Sequence, residues 1–224
     1  MWSIKFCLYG FLVLSAATAV LALNTSGFVY KSGTAGIGAL IILLLQFQRL
    51  KPPKAVWLVF AAFLFSIGGD WFLSIMKGDN GLFIKGIALY FIAHLGYLWY
   101  ATQNGKLNRK FTVILLSSFL LYFYFLLWPR FEETMLLLAV LIYLLISCLS
   151  LGMAVGMNGS AIAKWAFVFG VFLILISDTI ISFKEFFGNN NYNYMILPTY
   201  YLAHLSISFS LIRAYGNSEK NHSN

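Results

Sequence analysis

Residues 54–76 read KAVWLVFAAFLFSIGGDWFLSIM. Beyond the opening lysine, a single charged side chain interrupts them, Asp70. A run of ~20 predominantly apolar residues is what crosses a ~30 Å hydrocarbon layer as a helix. The stretch therefore reads as a membrane span with a carboxyl group inside it, and such a group is costly there unless it has work to do. Seven further apolar runs accompany it, at 5–23, 33–48, 82–101, 111–128, 134–155, 161–183 and 194–214. Nothing between them is long enough for a soluble domain. The expected fold is an all-α integral membrane protein of eight transmembrane helices, one domain over residues 1–224.

Composition agrees. The chain is 61% hydrophobic and 10% charged, against roughly 25% charged in soluble domains. The first run has a second reading as a signal peptide, because Lys5 precedes it and Ala17-Thr-Ala19 resembles a cleavage site. Continued apolarity through Leu23 favours a span. Cys7 and Cys148 both fall inside spans and read as packing residues, with no disulfide framework.

The net charge of +8 is a topology signal. With eight spans, one side holds Lys5, Arg49, Lys51, Lys54, Lys106, Arg109, Lys110, Lys164, Arg213 and Lys220. The other holds Lys31, Lys77, Lys85, Arg130 and Lys184, diluted by Asp79, Glu132, Glu133 and Glu185. The positive-inside bias puts both termini in the cytoplasm. No basic run interleaves with base-stacking aromatics, so nucleic-acid binding has no support, and no obligate protein partner is evident.

The span at 54–76 has an echo. Asp70-Trp-Phe-Leu-Ser74 matches Asp178-Thr-Ile-Ile-Ser182, and Tyr90-Phe-Ile-Ala-His94-Leu matches Tyr200-Tyr-Leu-Ala-His204-Leu. Four positions matched at a separation of about 110 residues point to an internal duplication. Repeat one covers about 1–104 and repeat two about 108–214, with a polar tail at 215–224. Spans 3 and 7 run in the same direction, which implies a parallel repeat about an axis along the membrane normal.

Asp70 lies seven residues before Lys77 and Asp178 six before Lys184. At 1.5 Å per residue both sit ~10 Å beneath the outer boundary. Two carboxylates at one depth on related helices are expected to face one another as an acid/base pair. The structural alternative is that each hydrogen-bonds a neighbouring helix, which leaves the matched pair unexplained. His94 and His204 lie somewhat deeper, with Tyr90 and Tyr200 four residues earlier on the same faces. Each histidine is either a satisfied core residue or a partner that orients its own repeat's carboxylate. Imidazole and carboxylate also suit Zn or Fe, but no His-x-x-His or Glu-x-x-His spacing presents paired ligands from one helix, so no metal is expected. Ser66, Ser74, Ser177 and Ser182 flank the aspartates; serines in such helices commonly bond their own backbone, and a Ser/His/Asp triad is unmarked.

Ser66-Ile-Gly-Gly-Asp70-Trp-Phe-Leu, Ala93-His94-x-x-Tyr97, Ser177-Asp178 and Tyr200-Tyr-Leu-Ala203 together resemble the lysoplasmalogenase family of YhhN-like membrane proteins. The resemblance covers essentially the whole chain. It implies hydrolysis of the vinyl ether bond of a lysoplasmalogen, giving a fatty aldehyde and glycerophospho-ethanolamine or -choline. It also implies that Asp70 and Asp178 are catalytic. His204 stands where the family's last motif usually has Gln, which makes a metal-ligand role there less apt. Lys31 resembles a lysine that the family carries, although Ser32 replaces the usual following Pro. Lys31, Tyr97 and Tyr201 are the expected substrate contacts, and Ser66 and Ser177 join the His and Tyr residues as supporting groups.

The chemistry suits the residues independently. Vinyl ether hydrolysis needs a proton delivered to carbon, stabilisation of an oxocarbenium ion, and added water. Two carboxyl groups sharing one proton supply all three, as in glycoside hydrolysis. The expected ligands are a lysophospholipid and membrane lipids, with no cofactor, and the expected location is the bacterial plasma membrane, multi-pass. The rival is a proton-coupled transporter of small molecules or lipids using the same aspartates, which needs polar lining from both sides. Ala55–Phe65 and Trp165–Ile176 are apolar throughout, which describes a pocket closed at the cytoplasmic end, although span 8 stays polar inward through Ser206, Ser208 and Ser210. A receptor-like or structural role leaves the aspartates without a purpose.

Overall fold

The computed structural model describes residues 2–24, 28–47 and 52–216. The cations Arg49, Lys51 and Lys220 and the tail from residue 217 lie outside the described residues. Those described form α1 (Trp2–Asn24), the single turn α2 (Phe28–Lys31), α3 (Gly33–Phe47), α4 (Val56–Ile75), α5 (Asn80–Gln103), α6 (Arg109–Tyr122), α7 (Thr134–Val155), α8 (Ala161–Phe187) and α9 (Asn193–Tyr215). No strand occurs among them; Gly105 and Met157 form one isolated bridge.

Among the described residues, seven helices are long and apolar enough to cross a membrane, the make-up of a multi-pass membrane protein. They are α1, α4, α5, α7, α8, α9 and the segment Arg109–Arg130 that contains α6. The exception is α3. Its 15 residues extend ~22 Å, short of a ~30 Å hydrocarbon core. Helices suit this setting because each satisfies its own backbone internally.

The helix starts and stops have local causes. Asp79, Asn108 and Ser160 cap α5, α6 and α8 by accepting from Leu82, Phe111 and Ala163 N–H groups, and Gly188 ends α8 in the left-handed conformation. The run expected as one helix over 111–128 is not uniform. It changes from α to a π-helical turn at Phe123–Leu127 and a 3-10 turn at Trp128–Arg130. Pro129 sits in that last turn and has no N–H to continue the α ladder.

The most extensive packing is within the pairs α4/α5 and α8/α9. Small residues permit it: a Cβ on Gly96 of α5 would stand 2.6 Å from the Leu58 carbonyl oxygen, and one on Gly170 of α8 would stand 2.8 Å from that of Ala203. At one end of the bundle the α5–α6 and α7–α8 turns are tied together by backbone. Lys106 N–H donates to the Gly156 carbonyl at 3.1 Å and Asn158 N–H to that of Asn104 at 2.8 Å. Trp57, Trp99 and Trp165 are exposed near this end, Trp71 and Trp128 toward the other, the positions of interfacial aromatic belts.

Candidate active site

At the end opposite those tied turns, α2, α4, α5, α8 and α9 enclose a cavity of about 300 Å3. Asp70 and Asp178 both line it, as do Lys31, Lys184, Tyr90, Ser177, Tyr200 and Tyr201. One volume therefore brings together most of the residues singled out from sequence.

Asp70 is placed by a glycine. A Cβ at Gly69 would stand 2.8 Å from the Tyr90 ring, so the bare backbone lets Tyr90 lie flat against α4. The Tyr90 hydroxyl then donates to Asp70 Oδ1 at 2.6 Å. Asp70 Oδ2 is buried, and the Tyr200 phenol stands against the same carboxyl group.

Asp178 is held differently. The Tyr143 hydroxyl, from α7, donates to its Oδ2 at 2.5 Å, and His94 Nε2 lies 3.7 Å from the same oxygen. The rings of His94 and Tyr143 meet edge to face at 5.2 Å. His94 thus faces the aspartate of the other motif rather than Asp70. On α5, Tyr90 and His94 share one face, from which Tyr90 reaches Asp70 of α4 and His94, one turn further along, reaches Asp178 of α8.

His204 reaches neither carboxylate by a hydrogen bond or ion pair. Its Nδ1 is hydrogen-bonded to Thr34 Oγ1 at 3.3 Å, and its ring packs on Tyr200 at 4.3 Å and Phe63 at 5.4 Å. It is a core residue linking α9 to α3. Of the two readings open for the histidines, His204 takes the core role, bonded to Thr34, while His94 stands against Asp178 rather than the aspartate of its own motif.

Tyr97, expected to contact substrate, lies below the cavity. Seven residues beyond Tyr90, it sits ~10 Å deeper, 1% exposed and packed against His94 and Phe63. Ser66 is likewise buried and lines none of the cavities described. Ser177 does line the cavity, and its hydroxyl donates to the Ile196 carbonyl of α9 at 3.1 Å, just before Pro198. Ser74 and Ser182 donate to the carbonyls of Trp71 and Thr179. These hydroxyls serve the backbone. No group of three or more His, Cys, Asp or Glu among the described residues is arranged to hold a metal ion.

Tyr143, Lys184 and Asn193 belong to the site and were missed as site residues from sequence. Tyr143 left a faint signal as the lone tyrosine of α7, but it has no counterpart in the matched motifs. Lys184, paired with Glu185 at 2.8 Å, reads in sequence as a boundary marker. Asn193 opens α9 from the cavity wall.

Neither a curated protein nor a solved structure matches the chain significantly. The model of the YhhN family, which is associated with hydrolase activity, matches residues 30–211, a stretch that contains both aspartates, both histidines and Lys31. The chain belongs to the YhhN family, the family that includes lysoplasmalogenases.

Proposed function

We propose that this protein hydrolyses the vinyl ether bond of lysoplasmalogens, with Asp70 and Asp178 as its acid/base pair. The observation that carries the reading is one cavity lined by both aspartates and two lysines. The lysines suit a phosphodiester, with Lys31 and Lys184 at the ends of α2 and α8.

The two carboxyl groups divide the work. Asp70 is enclosed by the phenols of Tyr90 and Tyr200 with no imidazole against it, and it carries the proton. Asp178, with a phenol and an imidazole against it, is the carboxylate. The Asp70 proton passes to the alkenyl carbon one removed from the ether-bearing carbon, and the double-bond electrons form the new C–H bond. The oxocarbenium ion left behind is stabilised by Asp178. Water adds to the cationic carbon and loses a proton to Asp178. The hemiacetal then breaks its bond to the glycerol oxygen, giving aldehyde and glycerophospho head group, and proton transfer between the aspartates restores the starting state.

In the same reading α3 is an eighth, short span, the chain is a single membrane domain of two parallel four-helix repeats, and both termini are cytoplasmic. The cavity then opens outward, in a bacterial plasma membrane. Neither a cofactor nor an obligate protein partner is called for. The equivalent packing of α4/α5 and α8/α9 supports the repeats.

The transporter reading draws on the buried hydroxyl of Ser208, which has no partner among the described residues. Against it, Ser210 is committed to the Ala163 carbonyl at 2.6 Å, and the tied turns stand across that end. Incubation of the purified protein with an alkenyl lysophospholipid is expected to release free aldehyde and a water-soluble glycerophosphodiester. Intact substrate after prolonged incubation with folded protein would overturn the proposal.

A further inference from the structure

Beside the aspartate cavity, toward α7, lie two smaller voids of about 60 Å3 each. The first shares Tyr90, Asp178 and Ile181 with the main cavity. The second shares Val140, Tyr143 and Ser182 with the first, and ends among Phe119, Leu127 and Leu144. Together they trace a fissure from Asp178 past Tyr143, along the seam of α7 and α8, to the junction of α6 with its π-helical turn.

Apart from the Asp178 carboxyl at its inner end, the polar groups bordering this fissure are already committed. Tyr143 serves Asp178, Tyr122 and Ser182 bond each other at 2.6 Å, and the hydroxyls of Ser147 and Thr179 donate to backbone carbonyls. What remains for an occupant is hydrocarbon wall. Each void is smaller than the ~150 Å3 apolar cavity that admits benzene, so the two enclose only part of a long chain. The fissure's far end is bordered by Leu127 of the π-helical turn, a local geometry often found at functional sites. Tyr124, Phe125 and Leu126 in that turn are exposed on the lipid-facing side.

We propose that this fissure holds the part of the substrate's hydrocarbon chain nearest the ether bond, and that the rest of the chain leaves beside the π-helical turn of α6 into the bilayer. This rests on the lysolipid reading above and adds an orientation: phosphate toward Lys31 and Lys184, vinyl ether between the aspartates, chain along the α7–α8 seam. The fatty aldehyde, the apolar product, departs by the same seam, while the glycerophosphodiester leaves through the lysine-lined mouth.

Two measurements test it. A saturated alkyl lysophospholipid with a diazirine in its chain, photolysed with the full-length protein in nanodiscs, is expected to label peptides of α6 and α7 around Phe119, Leu127 and Leu144. Labelling confined to α1, α3 and α9 would overturn the proposal. Val140→Phe, which fills the fissure at a residue bordering both voids, is expected to raise KM for a long-chain alkenyl substrate by about tenfold or more, the scale of small steric changes in an apolar pocket. Hydrolysis of a vinyl ether analogue with a two-carbon chain is expected to be unchanged. Equal effects on both substrates would overturn the chain assignment. Val140→Ala and the labelling pattern decide the matter if the larger residue prevents folding. Labelling at the seam without aldehyde release would retain the fissure and remove the hydrolase reading; aldehyde release with labelling elsewhere would do the reverse.

Discussion

The imidazole of His94 lies 3.7 Å from the carboxylate of Asp178, although Asp70 is the aspartate of its own sequence motif. This contact crosses between the two matched halves of the chain. It makes the aspartates inequivalent: one is met by the phenols of Tyr90 and Tyr200, the other by a phenol and an imidazole.

Asp70→Asn and Asp178→Asn are each expected to abolish aldehyde release while the protein stays folded in detergent. Asn keeps the size and some hydrogen bonding but cannot cycle a proton, and positioned proton transfer contributes about 100-fold to 10,000-fold. Retention of most activity by either variant, measured as aldehyde per folded protein, would remove that residue from the acid/base pair.

His94→Gln is expected to be milder, because the imidazole stands 3.7 Å from Asp178, beyond hydrogen-bond length. His204→Gln is expected to be milder still, because a glutamine amide can bond Thr34 as the imidazole does. Steady-state rates of the two variants side by side check the order; a larger loss at His204 than at His94 contradicts it.

Tyr143→Phe keeps the ring against His94 and removes the hydroxyl that donates to Asp178. Hydrogen bonds to charged groups are worth about 1.5–3 kcal/mol, so the expected loss in kcat/KM is roughly 10- to 100-fold. An unchanged rate would mean that the phenol plays no part in stabilising the carboxylate.

Activity is expected to survive exhaustive treatment with EDTA or phenanthroline, because the carboxyl pair manages the proton transfers. Loss on chelation with recovery by one specific metal would instead make His94 and the aspartates metal ligands.

The saturated alkyl lysolipid is expected to resist cleavage altogether, since without the double bond no oxocarbenium ion forms by carbon protonation, and to inhibit competitively. The ester analogue is the sharper test. The flanking serines Ser74, Ser177 and Ser182 spend their hydroxyls on backbone carbonyls, and none is prepared to attack an acyl carbon. Free fatty acid released from the ester at a rate comparable to aldehyde release would sink the carboxyl-pair assignment.

Much of this was legible in the sequence, and the limits follow from what a linear pattern encodes. Apolar runs near 20 residues announced the helices because the bilayer leaves a chain few other ways to satisfy its backbone. Lone aspartates inside such runs pointed to the cavity that both line, because an unused charge there is costly. Helical spacing even placed Tyr90 on the face it uses, since the period of 3.6 defines faces. That same period is silent about which neighbour a face will meet. From sequence, His94 is either a core residue or a partner of Asp70, Tyr97 is a substrate contact, and Tyr143 has no assigned partner. Only the packed bundle, with α5 flanked by α4 on one side and α7 on the other, turned His94 and Tyr143 toward Asp178 and left Tyr97 beneath the cavity. Sequence by itself determined the helices and the residue types within them; the tertiary structure decided their partners, because a partner is set by close packing between helices distant in the chain.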